Sequence, residues 1–178
     1  MGSIYDAKHY KSWGGLKKRL ESLLCDDFQG RISYFLTRYH DMHNAYGRAA
    51  VRLDGRELVR FSWTDMYRQE ADVSELWRGK GQAEWNDPAL KEKWDADGTF
   101  CEMDFLRAAA GFIDLPISEA LGSEDYIIRI FAILDRRIGK RTLDAIREKG
   151  EYLTWPDWVK QFYLLRLGER TVNVDCRP

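Results

Sequence analysis

Residues able to do chemistry gather at three places in this 178-residue chain. The first is His40-Asp41-Met42-His43. Two histidines and a carboxylate are metal-ligand types, and a loop leaving a strand is a common place for ligands. The i,i+3 spacing aligns side chains on a helix but not in extended or turn backbone, and no second Cys/His/Asp cluster completes a site. The segment therefore reads as a polar hairpin loop in preference to a metal centre. The second place is Tyr46-Gly47-Arg48. A glycine there relaxes the chain as a strand leaves its loop, and Arg48 is expected to pair with a nearby carboxylate; the competing reading aims Arg48 at an anion or a partner.

The third and densest place is Leu134-Asp135-Arg136-Arg137-Ile138-Gly139-Lys140-Arg141. Cations suit a helix C-terminus, where unpaired carbonyls carry partial negative charge, and Gly139 falls where a C′ glycine would close such a helix. Asp135 is placed to pair with a neighbouring arginine. The functional alternative is a basic surface of Arg136, Arg137, Lys140 and Arg141 meeting an acidic protein or a phosphate. Lys17, Lys18 and Arg19 extend that surface only if the first helix lies alongside.

No carboxylate pair stands out for acid–base work, and no Gly-x-Ser-x-Gly, phosphate-binding glycine loop or His-Glu-x-x-His occurs. Cys25 sits at a helix C-terminus beside Asp26 and Asp27, which oppose thiolate formation. No catalytic residue, metal or cofactor is expected. Trp77, Trp85 and Trp94 lie in a charged, poorly patterned segment. Core packing is the default for tryptophan, and a recognition surface is the alternative, since Trp and Arg are enriched at binding hot spots.

The elements that must position these residues follow from periodicity. Trp13, Leu16, Leu20, Leu23 and Leu24 recur at helical spacing after Ser12, predicting a helix from Trp13 to Asp26. Ile32, Tyr34 and Leu36 alternate with Ser33, Phe35 and Thr37, Ala49, Val51 and Leu53 alternate with Ala50, Arg52 and Asp54, and Val59, Phe61 and Trp63 share one face of a third run. Asp54-Gly55 between the last two runs is a hairpin turn. Asn86-Asp87-Pro88 opens a short helix ending by Asp97-Gly98. From Thr99 onward the chain is helical: a stripe of Phe100, Met103, Leu106, Ala110 and Ile113, then helices over 116–121, from a Ser123 cap to Leu134, around Leu143 and Ile146, and over 155–167. The fold class is α+β: an N-terminal helix and a three-stranded antiparallel meander packed against C-terminal helices. A single domain over 1–178 is expected, with 1–11 and 171–178 flexible and 64–98 irregular and mobile.

Composition narrows the function. With 44% hydrophobic residues and seven tryptophans the chain has ample core material. Its 28 Lys/Arg against 29 Asp/Glu give no broad basic excess, so general nucleic-acid or membrane-surface binding is not expected. Three widely spaced cysteines, Cys25, Cys101 and Cys176, build neither a disulfide framework nor a zinc pattern and suit a reducing compartment. No signal peptide or membrane span is visible, and a cytoplasmic location is expected.

The chain resembles a family of small uncharacterised bacterial proteins. The resemblance rests on Trp13-Gly14-Gly15-Leu16-Lys17, Gly30-Arg31, Tyr46-Gly47-Arg48, Asp54-Gly55 and the 134–141 motif with Leu143. It implies a bacterial cytosolic protein without an established activity. Small families of this kind often accompany mobile or toxin-linked genes, which implies an immunity or accessory role. The leading expectation is a non-enzymatic protein–protein interaction module, immunity- or antitoxin-like, whose partner is another protein. One alternative is an enzyme or ligand-binding domain with a pocket near the His40–Arg48 loop, His40 or His43 acting as base and Arg48 holding an anion. The other is weak nucleic-acid binding through Arg136, Arg137, Lys140 and Arg141.

Overall fold

The computed structural model describes residues 7–38, 47–62 and 88–169. In chain order these form α1 (Ala7–Leu23), β1 (Ile32–Arg38), β2 (Gly47–Leu53), β3 (Arg56–Phe61), α2 (Pro88–Asp97), α3 (Glu102–Phe112), α4 (Ile117–Leu121), α5 (Tyr126–Leu134), α6 (Lys140–Lys149) and α7 (Asp157–Arg166). Short 3-10 turns lie at Asp26–Phe28 and Glu151–Thr154. The fold is α+β, as the periodicity predicts.

The sheet is an antiparallel meander in the order β1-β2-β3. Tyr34 faces Val51, and Val51 faces Val59, so one face is continuous apolar surface. Asp54 and Gly55 close the β2–β3 hairpin with φ of 51° and 82°, the doubly positive geometry that matches strand twist. Arg31 grips Asp54 through both carboxylate oxygens, at 3.1 and 2.7 Å, and these hydrogen bonds hold the Asp54 carboxyl below its ordinary range. A register shift beside Val51 and Arg52 leaves Leu58 opposite no residue of β2.

Both outer strands are met by other elements. The Tyr34 N–H donates to Glu21 of α1 at 3.3 Å. On the other edge, Gln161 of α7 donates to the Leu58 carbonyl at 3.3 Å, and the Ser62 N–H donates to the Phe100 carbonyl at 3.0 Å. Unpaired strand edges invite pairing with other chains, and these contacts occupy part of each.

The helices pack on the apolar face. Phe105 of α3 is fully buried at the junction of four elements. Its ring stacks on Phe61 at 5.5 Å and meets Phe131 of α5 edge-on at 5.5 Å, with Trp13 of α1 at 5.8 Å and Tyr34 of β1 at 6.4 Å. Such ring pairs add about 0.5–1.5 kcal/mol beyond burial. α5 is buried on nearly every side and packs against α3, α4 and α7.

Several boundaries differ from the sequence expectation, each for a physical reason. α1 starts six residues before the predicted Trp13, because residues lacking an apolar stripe can still carry a helix forward from a packed core. It ends at Leu23 because the next peptides pair with the end of α5. The α3 stripe is Phe105, Leu106, Ala108, Ala109 and Phe112, and Ala110 is exposed. The predicted stripe was phased on Phe100 and Ile113, which lie outside the helix. Asp125, not Ser123, caps α5, accepting from Ile127 and Ile128 N–H at 2.9 and 3.3 Å. Residues 88–97 are helical, as the Asn86-Asp87-Pro88 start and the Asp97-Gly98 stop predict. Trp63, the 64–87 part of the 64–98 stretch and the 171–178 tail lie outside the described residues.

α2 ends at Gly98, where both backbone and packing require glycine. Its φ is 71°, and an added Cβ would lie 2.9 Å from the Trp158 ring. Trp158 in turn donates from Nε1 to the Asp95 carbonyl at 2.8 Å. Gly98→Ala is expected to lower stability by about 2 kcal/mol or more, combining left-handed strain with overpacking. Gly14→Ala, where an added Cβ meets nothing within 4 Å, is expected to raise it by about 0.5–1 kcal/mol. Urea unfolding midpoints measure both.

Candidate functional site

The most densely charged motif of the sequence forms a tight turn between α5 and α6. α5 stops at Leu134 because Asp135 turns extended (φ −75°, ψ 138°) and forms an antiparallel bridge with Leu24. The Cys25 N–H donates to the Leu134 carbonyl at 3.0 Å, and the Arg136 N–H donates to the Leu23 carbonyl at 2.8 Å. The ends of two helices distant in sequence are thereby fastened together.

Asp135 organises the turn. Its side chain is fully buried (0% exposed). Oδ1 accepts the Arg137 backbone N–H at 2.7 Å and Nε at 3.1 Å, and Oδ2 accepts Nη2 at 2.8 Å. The hydrogen bonds to Asp135 hold the Arg137 guanidinium firmly in its charged form. That guanidinium also lies 5.6 Å above the Phe112 ring. Ile138 is buried, and its carbonyl accepts from Arg166 of α7 at 3.0 Å. The turn is thus tied to α1, to the ring of an α3 residue and to α7.

On this support stand Arg136, Lys140 and Arg141. All three are exposed, and none has an ion-pair partner among the described residues. The C′ role expected for Gly139 is overturned. It has φ −86° and ψ 168° and serves as the N-cap of α6, with no side-chain cap. Lys140 and Arg141 consequently occupy the first turn of a helix whose first turn holds no carboxylate. Cations there oppose the helix dipole, at a cost of about 0.3–1 kcal/mol each. The reason the expectation fails is Asp135: its long-range pairing ends α5 four residues before the glycine. Of the α1 cations, Lys17 pairs with Glu21 at 3.6 Å and Arg19 with Asp114 at 3.1 Å, while Lys18 is exposed.

Arg48 belongs to a different cluster, on the face of the sheet opposite Val51. Its Nη2 lies 2.8 Å from Glu57 Oε1, and Arg52 Nη2 reaches the same oxygen at 3.0 Å. Both guanidinium groups lie over the Phe35 ring, at 5.3 and 3.8 Å. The start of β2 is anchored by buried Glu102, which accepts the Gly47 N–H at 2.9 Å. Sequence reasoning named Arg48 but neither Glu57 nor Phe35. The signal for Phe35 was its outward parity on β1, and for Glu57 its place across the Asp54-Gly55 hairpin. Trp94 is half-buried in α2, and its carbonyl accepts the Thr99 N–H at 2.9 Å. His40, His43, Trp77 and Trp85 lie outside the described residues. The structure therefore joins Arg136, Arg137, Lys140 and Arg141 and sets Arg48 and Trp94 on other elements.

Among the described residues no group of three or more His, Cys, Asp or Glu could hold a metal ion, and no helix is long and apolar enough to cross a membrane. Cys25 is buried and Cys101 half-buried, both as free thiols. Burial pushes both thiols above their ordinary range; for Cys25 the Arg166 charge offsets part of this, and for Cys101 the Asp104 charge adds to it.

The fold and this turn define a small α+β protein carrying a supported basic turn. The chain belongs to the SF0329 protein family, whose model matches residues 12–167. No curated protein and no solved structure matches it.

Arg137→Ala leaves the buried Asp135 carboxylate without its cation and is expected to cost about 3–5 kcal/mol. Arg136→Ala touches only a solvated side chain and is expected to stay within about 0.5 kcal/mol of wild type. Thermal or urea unfolding separates the two. Cys25 and Cys101 are expected to resist iodoacetamide at neutral pH in the folded chain and to react after urea unfolding, with peptide mass spectrometry as the readout.

Proposed function

We propose that the protein is a non-catalytic binding module that docks another protein through the turn bearing Arg136, Lys140 and Arg141. The observation that carries this reading is that three exposed cations, without an ion-pair partner among the described residues, stand on one turn whose Asp135 and Ile138 are buried and hydrogen-bonded. A solvated charge run is the ordinary state of a helix surface. Here Lys140 and Arg141 sit where a helix dipole opposes them, and all three cations stand on a turn whose backbone is tied from three sides before any partner arrives. A backbone ordered in advance favours recognition because less ordering entropy is lost on binding. The alternative of a ligand pocket with Arg48 as anion holder is disfavoured, since Glu57 already engages that guanidinium. The immunity or accessory role implied by the bacterial resemblance fits a protein that acts by covering a surface.

The test compares wild type with the triple variant Arg136→Ala/Lys140→Ala/Arg141→Ala, which is expected to keep its unfolding midpoint within a few degrees. A stoichiometric protein is captured from host lysate, identified, and reconstituted with both forms from purified components. The expected result is binding that the triple variant weakens by about tenfold to hundredfold, corresponding to about 1–3 kcal/mol. Equal affinity of the folded triple variant overturns the reading.

A further inference from the structure

We infer that the partner meets this turn with a carboxylate-rich segment, an inference that rests on the docking reading above. Several arginines elsewhere in the described chain pair with carboxylates, among them Arg19 with Asp114, Arg31 with Asp54 and Arg147 with Glu169, while Arg129 donates to the Ser123 carbonyl. The whole chain has slightly more acids than bases. Among the described residues Arg136, Lys140 and Arg141 nevertheless stand without a carboxylate partner, within six positions. Like charges on one turn repel one another, water and salt screen part of that repulsion, and a complementary charge from a partner relieves more of it. The remaining charge of the motif cannot supply it, because both oxygens of Asp135 are buried and occupied by Arg137.

Two further features fit an acidic segment of a protein in preference to a nucleic acid. Nucleic-acid affinity is built from many phosphate contacts spread along a polymer, and three cations on one turn in a chain of net charge −1 offer few. Gly139, between Arg136 and Lys140, has neither a positive φ nor a crowded Cβ position: an added Cβ meets nothing within 4 Å. Its missing side chain leaves room beside the cations for a chain to approach closely. A run of Asp or Glu can place successive carboxylates against the three cations there.

The test is fluorescence anisotropy of a labelled hexaglutamate peptide with the full chain at low salt. Wild type is expected to bind saturably and to lose that binding as salt rises. Gly139→Asp places a carboxylate of the chain's own among the cations and is expected to weaken binding about tenfold, whereas Gly139→Ala is expected to retain it. Circular dichroism confirms that both variants fold. Absence of peptide binding by wild type, equal binding by Gly139→Asp, or tighter binding of a single-stranded oligonucleotide of the same charge each overturns the acidic-segment inference. A captured protein still lost by the triple alanine variant when the peptide does not bind leaves the docking reading standing. If that protein binds both forms equally, the docking reading falls as well.

Discussion

The Asp135 turn is the constraint on which the rest of the C-terminal architecture depends. A carboxylate removed from water is costly unless its oxygens are matched, and here the Arg137 backbone and guanidinium match them. With the side chain satisfied, the backbone on either side can pair with Leu23 and Cys25 of the first helical segment. That pairing stops α1 and α5 at the same level. It also forces α6 to start afresh at Gly139 instead of continuing α5. The placement of the exposed cations is thus a by-product of one buried carboxylate and the arginine that satisfies it.

Around this clasp the core combines aliphatic packing with a chain of aromatic contacts. Phe105 joins α3 to β3 through Phe61 and to α5 through Phe131, while Tyr34 meets Phe131 edge-on at 5.4 Å. A ring has a preferred approach, so these contacts fix angles as well as separations. At the far side, Trp158 packs against Phe100 and Tyr126 and closes over Gly98. The sheet and helices therefore share one continuous set of buried residues. The opposite face of the sheet obeys a different rule: Arg48 and Arg52 lie over Phe35, with Glu57 balancing part of their charge.

What was legible in the sequence was local. Period-two alternation at Ile32-Tyr34-Leu36 and Ala49-Val51-Leu53 named both strands and their buried faces, and Asp54-Gly55 named the hairpin, because each signal is written within a few residues. The pairing of Asp135 with a nearby arginine was legible for the same reason. Gly139 was misplaced because the feature that ends α5 is a hydrogen bond to Leu23, contributed from the opposite end of the chain. The phase of α3 was misread because Phe100 and Ile113 are apolar but not helical. Arg166, which steadies Ile138, gave no sign in sequence, since its contact is to a backbone carbonyl that any residue could offer.

The bridge between Leu24 and Asp135 also sets an order of events in time. Hairpins close in about microseconds, and a turn such as Asp54-Gly55 needs only its neighbours. The clasp needs residues more than a hundred positions apart, and closure of so long a loop must wait for contacts that reward it. During synthesis from the N-terminus, α1 and the meander emerge first, with Leu20, Leu24 and Tyr34 still lacking the helix that covers them. The chain becomes self-consistent only when the segment through Arg137 has appeared. The turn that bears the exposed cations is therefore among the last parts of the molecule to acquire its form, and its presence reports that the rest has folded.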